Sequence, residues 1–238
     1  STTITTGKTI HVVIGTSTPS VHATSTDGSG DYSVTLVPEA ADVPLVAFVD
    51  GDGTTRAATL SRIVSGATTL GDLDLYQNYV ILDARNDATL TIDDLALYDS
   101  SDDSDIQYTA TAATDALTVA TGNTVLLQSD TTFETGGAGG AISLDTLDLR
   151  GTLTATGTQT FSVSGSWDKR AGAIFNPESS TVDMTADSGN NTINGNFHHL
   201  TISGADTFTQ TGELNVAGDL SADAGTLTGS YDTTVQGG

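Results

Sequence analysis

From Ile106 onward the apolar residues fall in short runs, most of three to five positions, that recur every eight to twelve residues. Apolar and polar positions alternate within the runs, which predicts β-strands, and the Gly, Asn and Asp residues between them predict turns. Strands this short cannot each cover a deep sandwich core, but in a solenoid each adds one or two inward side chains to a stacked interior. The pattern therefore predicts a right-handed parallel β-helix (a β-solenoid) over residues 71–238.

The second half of the chain also repeats itself at an offset of 53 residues. This offset places apolar residues on apolar residues and glycines on glycines, as in the pairs Leu144 and Phe197, Leu147 and Leu200, Gly151 and Gly204, Phe161 and Leu214, and Trp167 and Leu220. Such a period is typical of stacked units. We predict two turns of about 26 residues in each repeat, with two or three strands per turn. Because Trp167 aligns with a leucine, we predict that it lies in the core rather than on a sugar-binding surface.

Residues 1–70 have a different pattern, with several strand-like segments separated by turn signals such as Asp-Gly and by prolines. This spacing predicts an N-terminal Ig-like β-sandwich. Residues 1–14, from Ser1 to Ile14, have two interpretations. They are either the first strand of this domain or an arm that adds a strand to a neighbouring subunit.

Two segments resemble known families. The run 26–34 (TDGSGDYSV) is similar to the "T-D-x-x-G-x-Y/F-x-hydrophobic" turn of carboxypeptidase-regulatory-like, transthyretin-type sandwich domains, which implies a spacer or stalk in a bacterial surface protein. Residues 176–204, together with the preceding Phe175, resemble a unit of bacterial and archaeal surface repeats, which implies a secreted β-solenoid and no enzyme. His198 and His199 depart from that unit. Its matching positions are Phe175, Val182, Met184, Ile193, Gly195, Phe197, Leu200 and Ile202.

Composition supports an all-β chain throughout. Hydrophobic residues make up 37% of the sequence but aromatic residues only 5%, and Thr, Ser, Asp and Gly dominate the remainder. These residues favour strands and turns over long helices. Cysteine is absent, so no disulfide or thiolate metal site is predicted. Together with the scarcity of lysine, this composition favours a bacterial or archaeal extracellular location over a cytoplasmic one.

The chain is strongly acidic, with 7 Lys+Arg against 30 Asp+Glu and a formal net charge of −23. This charge repels phosphate backbones and anionic lipid surfaces, so we predict no nucleic-acid partner. No run approaches the roughly 18 apolar residues that span a bilayer, and no membrane insertion is predicted. The charge favours divalent cations, high salt or a basic partner. Alternatively, it only keeps a repetitive β surface soluble.

Calcium is the metal that the acidic turns predict, because it binds six to eight oxygen ligands from carboxylates, carbonyls and water. No spacing matches an EF-hand, since no glutamate closes a twelve-residue loop. The alternative is that Asp-Gly pairs are simply preferred hairpin turns. The candidate ligands are Asp27, Asp31, Asp50, Asp52, Asp102, Asp103 and Asp105.

The sequence predicts no enzyme and no zinc site. In the repeating second half of the chain the Lys and Arg residues are Arg150, Lys169 and Arg170, too few to neutralise an acidic polysaccharide for a lyase reaction. The abundant serines lack a nucleophile-elbow motif. His198 and His199 are adjacent, and on a strand adjacent side chains point to opposite faces, so they are not expected to hold one zinc ion.

These features together predict a non-enzymatic extracellular structural protein, the protomer of a surface fibre or filament. A solenoid ends in strands with unpaired edges, and residues 233–238 carry no obvious polar cap. We therefore expect head-to-tail self-association, aided by residues 1–14. The alternative is an adhesin or stalk module of a larger cell-surface protein that binds a glycan or another cell.

Overall fold

The computed structural model describes residues 4, 7–15, 20–34, 43–63, 73–84 and 89–237, which form 23 strands and one short helix. The elements are, in chain order, β1 (Thr9–Ile14), β2 (Ser20–Ser25), β3 (Val43–Asp50), β4 (Ala58–Ile63), β5 (Tyr79–Leu82), β6 (Thr89–Thr91), α1 (Ile92–Leu95), β7 (Tyr108–Thr111), β8 (Ala116–Val119), β9 (Thr124–Leu127), β10 (Thr132–Glu134), β11 (Ile142–Leu144), β12 (Thr146–Leu149), β13 (Thr152–Thr154), β14 (Thr160–Val163), β15 (Trp167–Lys169), β16 (Ile174–Asn176), β17 (Thr181–Met184), β18 (Thr192–Phe197), β19 (His199–Ile202), β20 (Thr207–Val216), β21 (Leu220–Ala222), β22 (Thr226–Thr228) and β23 (Thr233–Val235). The predicted all-β fold is confirmed.

From β5 onward the chain winds through three sheets, and it forms a β-solenoid of about 8 turns. The first sheet has 12 strands and follows the order β2-β1-β3-β4-β5-β9-β12-β15-β18-β20-β22, with β23 also paired to β20. The second sheet has the order β16-β13-β10-β6, and the third has the order β21-β19-β17-β14-β11-β8-β7. Neighbouring solenoid strands are parallel, except for the antiparallel hairpin of β7 and β8. The predicted solenoid is therefore confirmed.

The length of a turn differs from the prediction. In the third sheet, Ile142 pairs with Phe161, Phe161 with Val182, Val182 with Leu200, and Leu200 with Leu220, so successive turns are 18 to 21 residues apart. An offset of 53 residues is thus about two and two-thirds turns, not two turns of 26. It superimposes one sheet on another, because Leu144 belongs to the third sheet and Phe197 to the first. The repeat is visible because strands of different sheets carry similar inward apolar residues.

The glycines of the repeat lie where one turn packs closely against the preceding turn. A Cβ atom on Gly151 would collide with the backbone oxygens of Gln128 and Thr131, and one on Gly204 would collide with the backbone of Ala186. Only glycine allows this close backbone approach at a corner. The periodic glycines therefore reflect stacking of the turns rather than a ligand-binding loop.

The core of the solenoid is lined by the inward-pointing residues of all three sheets and continues into the N-terminal region. Val13, Phe48 and Leu60 belong to the same buried cluster as Leu82, Leu127 and the inward residues of the later turns. Trp167 is 0% exposed within this cluster, as the repeat predicts. Its ring contacts three phenylalanines, with centroid distances of 5.8, 4.8 and 5.6 Å to Phe161, Phe175 and Phe197.

The described part of residues 1–70 forms one antiparallel sheet that continues the first sheet of the solenoid. β1 lies between β2 and β3, β3 pairs with β4, and β4 pairs in parallel with β5. A second apolar cluster covers the outer face of this sheet and includes Ile10, Leu45 and Leu75. The described residues thus show a single sheet between two apolar layers, and the second sheet of an Ig-like sandwich is not shown. Both edges of Thr9–Ile14 are paired within the chain, so strand addition by this segment would require these pairs to open.

Helix α1 and the following loop form an insertion in the first turn of the solenoid. The hydroxyl of Thr91 accepts a hydrogen bond from the Asp94 backbone N–H, and the Asp94 carboxylate accepts one from the Thr91 backbone N–H, which is a capping box. Arg62 on β4 donates to both carboxylate oxygens of Asp94, at 2.8 and 3.0 Å. The insertion is thereby tied to the N-terminal sheet.

Candidate functional site

Two acidic loops meet at one end of the N-terminal sheet. The first is the turn after β3, from Asp50 to Thr55, and the second is the loop from Asp99 to Asp105. The backbone N–H of Gly51 in the first loop donates to the Asp105 carboxylate in the second, at 2.7 Å. Residues about fifty positions apart in sequence are therefore held together here.

Most carboxylates of these loops accept hydrogen bonds from backbone N–H groups. Asp99 accepts from Ser101 and Ala110, both at 2.7 Å. Asp102 accepts from the N–H of Asp99 at 3.1 Å, and Asp103 accepts from the N–H of Asp105 at 3.0 Å. These contacts fix the loop conformation from within, as Asx turns do.

Asp52 organises the turn after β3 and is paired with Lys8. Its carboxylate accepts hydrogen bonds from the backbone N–H groups of Thr54 and Thr55, at 3.2 and 2.8 Å, and from the ammonium group of Lys8. The hydrogen bond from Lys8, followed by those from Thr54 and Thr55, holds the pKa of Asp52 well below its usual range. This carboxylate is thus occupied by an amine and by its own turn.

Asp50, Asp103 and His11 lie together in the space between the two loops. One ligand atom of each side chain lies within 4.8 Å of the others, and the His11 Nε2 atom is 3.5 Å from the Asp50 Oδ2 atom. Within the described residues this is the one group of three or more His, Cys, Asp or Glu side chains with such spacing. All three side chains are half-buried. The structure therefore brings together two of the predicted calcium ligands and adds a histidine that was not predicted.

The other predicted ligands are distributed differently. Asp27 forms its own turn, since its carboxylate accepts from the N–H groups of Ser29 and Asp31 at 2.7 and 3.1 Å. Asp31 is exposed in that turn. Asp102 and Asp105 belong to the second acidic loop but not to the group of three, and Asp52 is paired with Lys8. The calcium assignment of these residues stays a prediction.

Tyr98 lies close to the carboxylates of both acidic loops, and they affect the pKa of its phenol. Burial, followed by the negative charges of Asp103, Asp102 and Asp50, raises the pKa of its phenol. Its ring also packs against Phe48 on β3, with centroids 6.1 Å apart. Negative potential is thus concentrated where the loop covers the sheet, which favours a cation there.

His198 and His199 are not on opposite faces of one strand, as the sequence suggested. β18 ends at Phe197 and β19 begins at His199, so the pair occupies a corner of the coil. The two rings contact each other edge to face with centroids 4.4 Å apart, and His199 Nδ1 accepts a hydrogen bond from the Asp219 N–H at 3.0 Å. Alternation along a strand does not apply across a corner.

Two of the three Lys and Arg side chains in the second half of the chain converge on one carboxylate. Asp148 on β12 accepts from Arg150 of the same turn at 2.7 Å and from Arg170 of the next turn at 2.7 Å. Burial by itself would raise the pKa of Asp148, but the hydrogen bonds from the two arginines outweigh it and lower the pKa. The cluster joins two turns on the outside of the solenoid.

Replacing Asp148 with asparagine is expected to lower the free energy of unfolding by about 1.5–3 kcal/mol at pH 7, the range for hydrogen bonds to charged groups. A lowered folded-state pKa stabilises the folded protein above the unfolded value of about 4, and this contribution is lost as the pH falls through the folded-state pKa. Urea denaturation at pH 7 and near pH 2–3 measures the difference, which should shrink at the lower pH. The exposed control Glu134→Gln should change the free energy of unfolding by about 0.5 kcal/mol or less at pH 7.

The long first sheet has unpaired edges at both of its ends within the described part of the chain. β2 borders one end, and β22 and β23 border the other. Each edge carries an exposed apolar side chain, with Val21 51% and Val235 43% exposed. Leu220 and Leu227 in the last described turn are only partly buried against the core. Both edges thus present backbone hydrogen-bonding groups beside apolar surface, which invites strand pairing.

No family model, no curated protein and no solved structure matches this chain. Its class therefore follows from the fold: it is an all-β protein, built as a β-solenoid. Within that class, its particular features are an antiparallel sheet that extends one face of the solenoid and an acidic junction beside that sheet. In the described part of the chain, no helix is long and apolar enough to cross a membrane.

Proposed function

We propose that this protein is a non-enzymatic, extracellular structural protein whose copies associate head to tail into a surface fibre. The observation that carries the proposal is the first sheet, which runs the length of the described molecule and has an unpaired edge at each end. The two edges belong to different surfaces, so pairing one with the other is a heterologous contact. Such contacts produce open-ended polymers when the rotation between copies does not close a ring.

The strand directions suit this contact. β2 is antiparallel to β1, β1 to β3 and β3 to β4, whereas β4 is parallel to β5 and hence to the solenoid strands of the first sheet. If the sheet continues from copy to copy, β2 of one copy meets β22 and β23 of another in antiparallel orientation. Antiparallel pairs are slightly more stable per residue than parallel pairs. β22 and β23 lie opposite the two ends of the ten-residue strand β20, so the six residues of β2 can cover either of them but not both in full.

An extracellular location is supported by the absence of cysteine, by the predominance of Thr, Ser, Asp and Gly, and by the resemblance of residues 176–204 to surface repeats. Right-handed winding is supported by the strong preference of parallel β-strand crossovers for that hand. The net charge of −23 makes the copies repel each other at low ionic strength. Assembly should therefore increase with salt or divalent cations, which screen or neutralise this repulsion.

Val235→Pro tests the contact at the last strand. Successive backbone N–H groups of a strand point to opposite edges. Gln236 donates its N–H to Val216 on β20, so the N–H of the preceding residue, Val235, points to the unpaired edge. Proline there removes an outward donor without removing a hydrogen bond to β20. We expect ordered polymers of the wild-type protein in negative-stain micrographs at moderate salt, and their loss in this variant. Val235→Thr, which keeps the donor and the branched shape, should still polymerise.

Light scattering measures the oligomeric state and tests whether the fibre proposal fails. If the wild-type protein stays monomeric across a range of salt and calcium concentrations, fibre formation by these edges is wrong. Polymers that form equally well with Val235→Pro and with Val21→Lys, which places a charge at the opposite edge, would also contradict the proposal. A circular dichroism spectrum of each variant shows whether its fold is intact.

The alternative, an adhesin or stalk module that binds a glycan, is favoured by one surface feature. A polar depression on the outside of the last turns is lined by Lys169, Asn194, Asn196, Glu213 and Asn215. Amide and charged groups of this kind can hydrogen-bond to sugar hydroxyls. Discrete particles that bind immobilised glycans, and lose binding with Asn196→Ala, would favour this function over the fibre.

A further inference from the structure

His11, Asp50 and Asp103 are contributed by three separate elements: strand β1, the end of strand β3 and the second acidic loop. His11 and Asp50 lie on the face of the N-terminal sheet toward the main core, because their neighbours Val13 and Phe48 belong to that core. The loop covers the same face and places Asp103 opposite them. The imidazole distinguishes this group from the other acidic turns of the chain.

We propose that His11, Asp50 and Asp103 bind a divalent transition-metal ion of the Zn²⁺ type. The His11 Nε2 to Asp50 Oδ2 distance of 3.5 Å is too long for a good hydrogen bond. It matches the separation of two ligands of one tetrahedral ion, since metal–ligand distances of about 2.0–2.2 Å place the ligand atoms about 3.4 Å apart. The Asp103 carboxylate supplies a third ligand within 4.8 Å, which leaves the fourth position for water.

The ligand types favour zinc over calcium at this place. Calcium binds six to eight oxygens and does not prefer imidazole, whereas zinc accepts histidine nitrogen and aspartate oxygen as ligands of the same ion. The neighbouring carboxylates are already engaged, because Asp105 accepts from Gly51 and Asp52 accepts from Lys8. Among the described residues, neither Asp50 nor Asp103 forms a salt bridge with lysine or arginine. Two carboxylates held this close therefore gain from a shared cation.

A bound ion would link residues 11, 50 and 103 and so fix the loop to the N-terminal sheet. Binding to the folded state alone raises stability by mass action, so the melting temperature should rise with the concentration of free zinc. This role does not depend on polymer formation and is measurable on monomers at low salt.

The test uses the full chain with Co²⁺ as a spectroscopic probe and Zn²⁺ as a competitor. We expect visible absorption from Co²⁺ bound to the site, its displacement by Zn²⁺, and a zinc-dependent rise in melting temperature. His11→Gln and Asp103→Asn should each weaken zinc binding at least tenfold in isothermal titration calorimetry. The control variant His198→Gln/His199→Gln removes two histidines that lie outside the proposed site, and it should leave zinc binding unchanged.

Two results would overturn the proposal. One is zinc affinity that is equal in the wild-type protein, His11→Gln and Asp103→Asn, and the other is zinc binding that is lost in the His198/His199 control. Calcium binding at the same residues, unaffected by His11→Gln, would also show that the imidazole is not a ligand. Circular dichroism of Asp103→Asn, whose carboxylate also caps the Asp105 N–H, separates loss of the site from loss of the fold.

Discussion

Replacing Trp167 with alanine is expected to lower the free energy of unfolding by about 3–5 kcal/mol. Its side chain is fully buried and contacts Phe161, Phe175 and Phe197 from neighbouring strands. Alanine would leave a cavity among these rings, and a stacked interior cannot close it without moving adjacent turns. Urea denaturation, followed by far-ultraviolet circular dichroism because the only tryptophan is removed, measures the loss.

Two further variants define the cause of that loss. The Trp167 Nε1 atom is buried and has no hydrogen-bond partner among the described residues, so Trp167→Phe removes volume without breaking a hydrogen bond and should lose less stability than alanine does. Ile174 on the adjacent β16 is 49% exposed, and Ile174→Ala should change stability by about 0.5 kcal/mol or less. Equal losses in Trp167→Ala and Ile174→Ala would contradict an interior packed around the tryptophan.

The sequence predicts the solenoid because the features that mark this fold are local ones: short alternating strands, frequent turn residues and glycines at fixed places. The predicted length of a turn, about 26 residues, is wrong for a physical reason. Strands of all three sheets point one or two apolar residues inward, so a shift by part of a turn matches apolar residues as well as a shift by whole turns does. Leu147 and Leu200 are aligned by the 53-residue offset, yet they belong to β12 in the first sheet and β19 in the third. Pairing registers, not hydrophobicity, distinguish the sheets.

The candidate metal site depends on contacts between distant segments, which the sequence does not predict. Asp50 and Asp103 were proposed as ligands because they occur in acidic turns, but nothing local connects either residue with His11. Their proximity depends on the pairing of β1 with β3 and on the loop that covers them. Such contacts between distant segments are set by the fold, so no spacing rule in a single sequence would have identified the histidine.

The acidic composition has a partly structural explanation. Asp27, Asp52 and Asp99 each accept hydrogen bonds from two backbone N–H groups within or beside their own turn. A chain with many short strands needs many turns, and aspartate stabilises turns by this contact. This observation supports the interpretation of several Asp residues as turn formers. It leaves the half-buried Asp50 and Asp103, beside His11, as the stronger ligand candidates.

Replacing Asp94 with alanine is expected to lower the free energy of unfolding by about 3–5 kcal/mol, the range for breaking a buried ion pair. The Asp94 side chain is 8% exposed and that of Arg62 is 19% exposed. The substitution removes both hydrogen bonds from Arg62, leaves its guanidinium in a poorly hydrated place, and also removes the capping box with Thr91. Chemical denaturation monitored by circular dichroism measures the change.

The neighbouring Asp93 is a matched control, because it lies in the same first turn of α1 but is exposed. Asp93→Ala should lower stability by about 0.5 kcal/mol or less. In the double variant Arg62→Met/Asp94→Leu, both charges are replaced by apolar side chains, so it should be more stable than Asp94→Ala alone. The single variants Arg62→Met and Asp94→Leu complete the comparison. If the stability lost in the double variant equalled the sum of the losses in these two single variants, the ion pair would not be the reason for the loss. The N-terminal sheet and the insertion would then be held together by their other contacts, which include apolar packing and the hydrogen bond from Gly51 to Asp105.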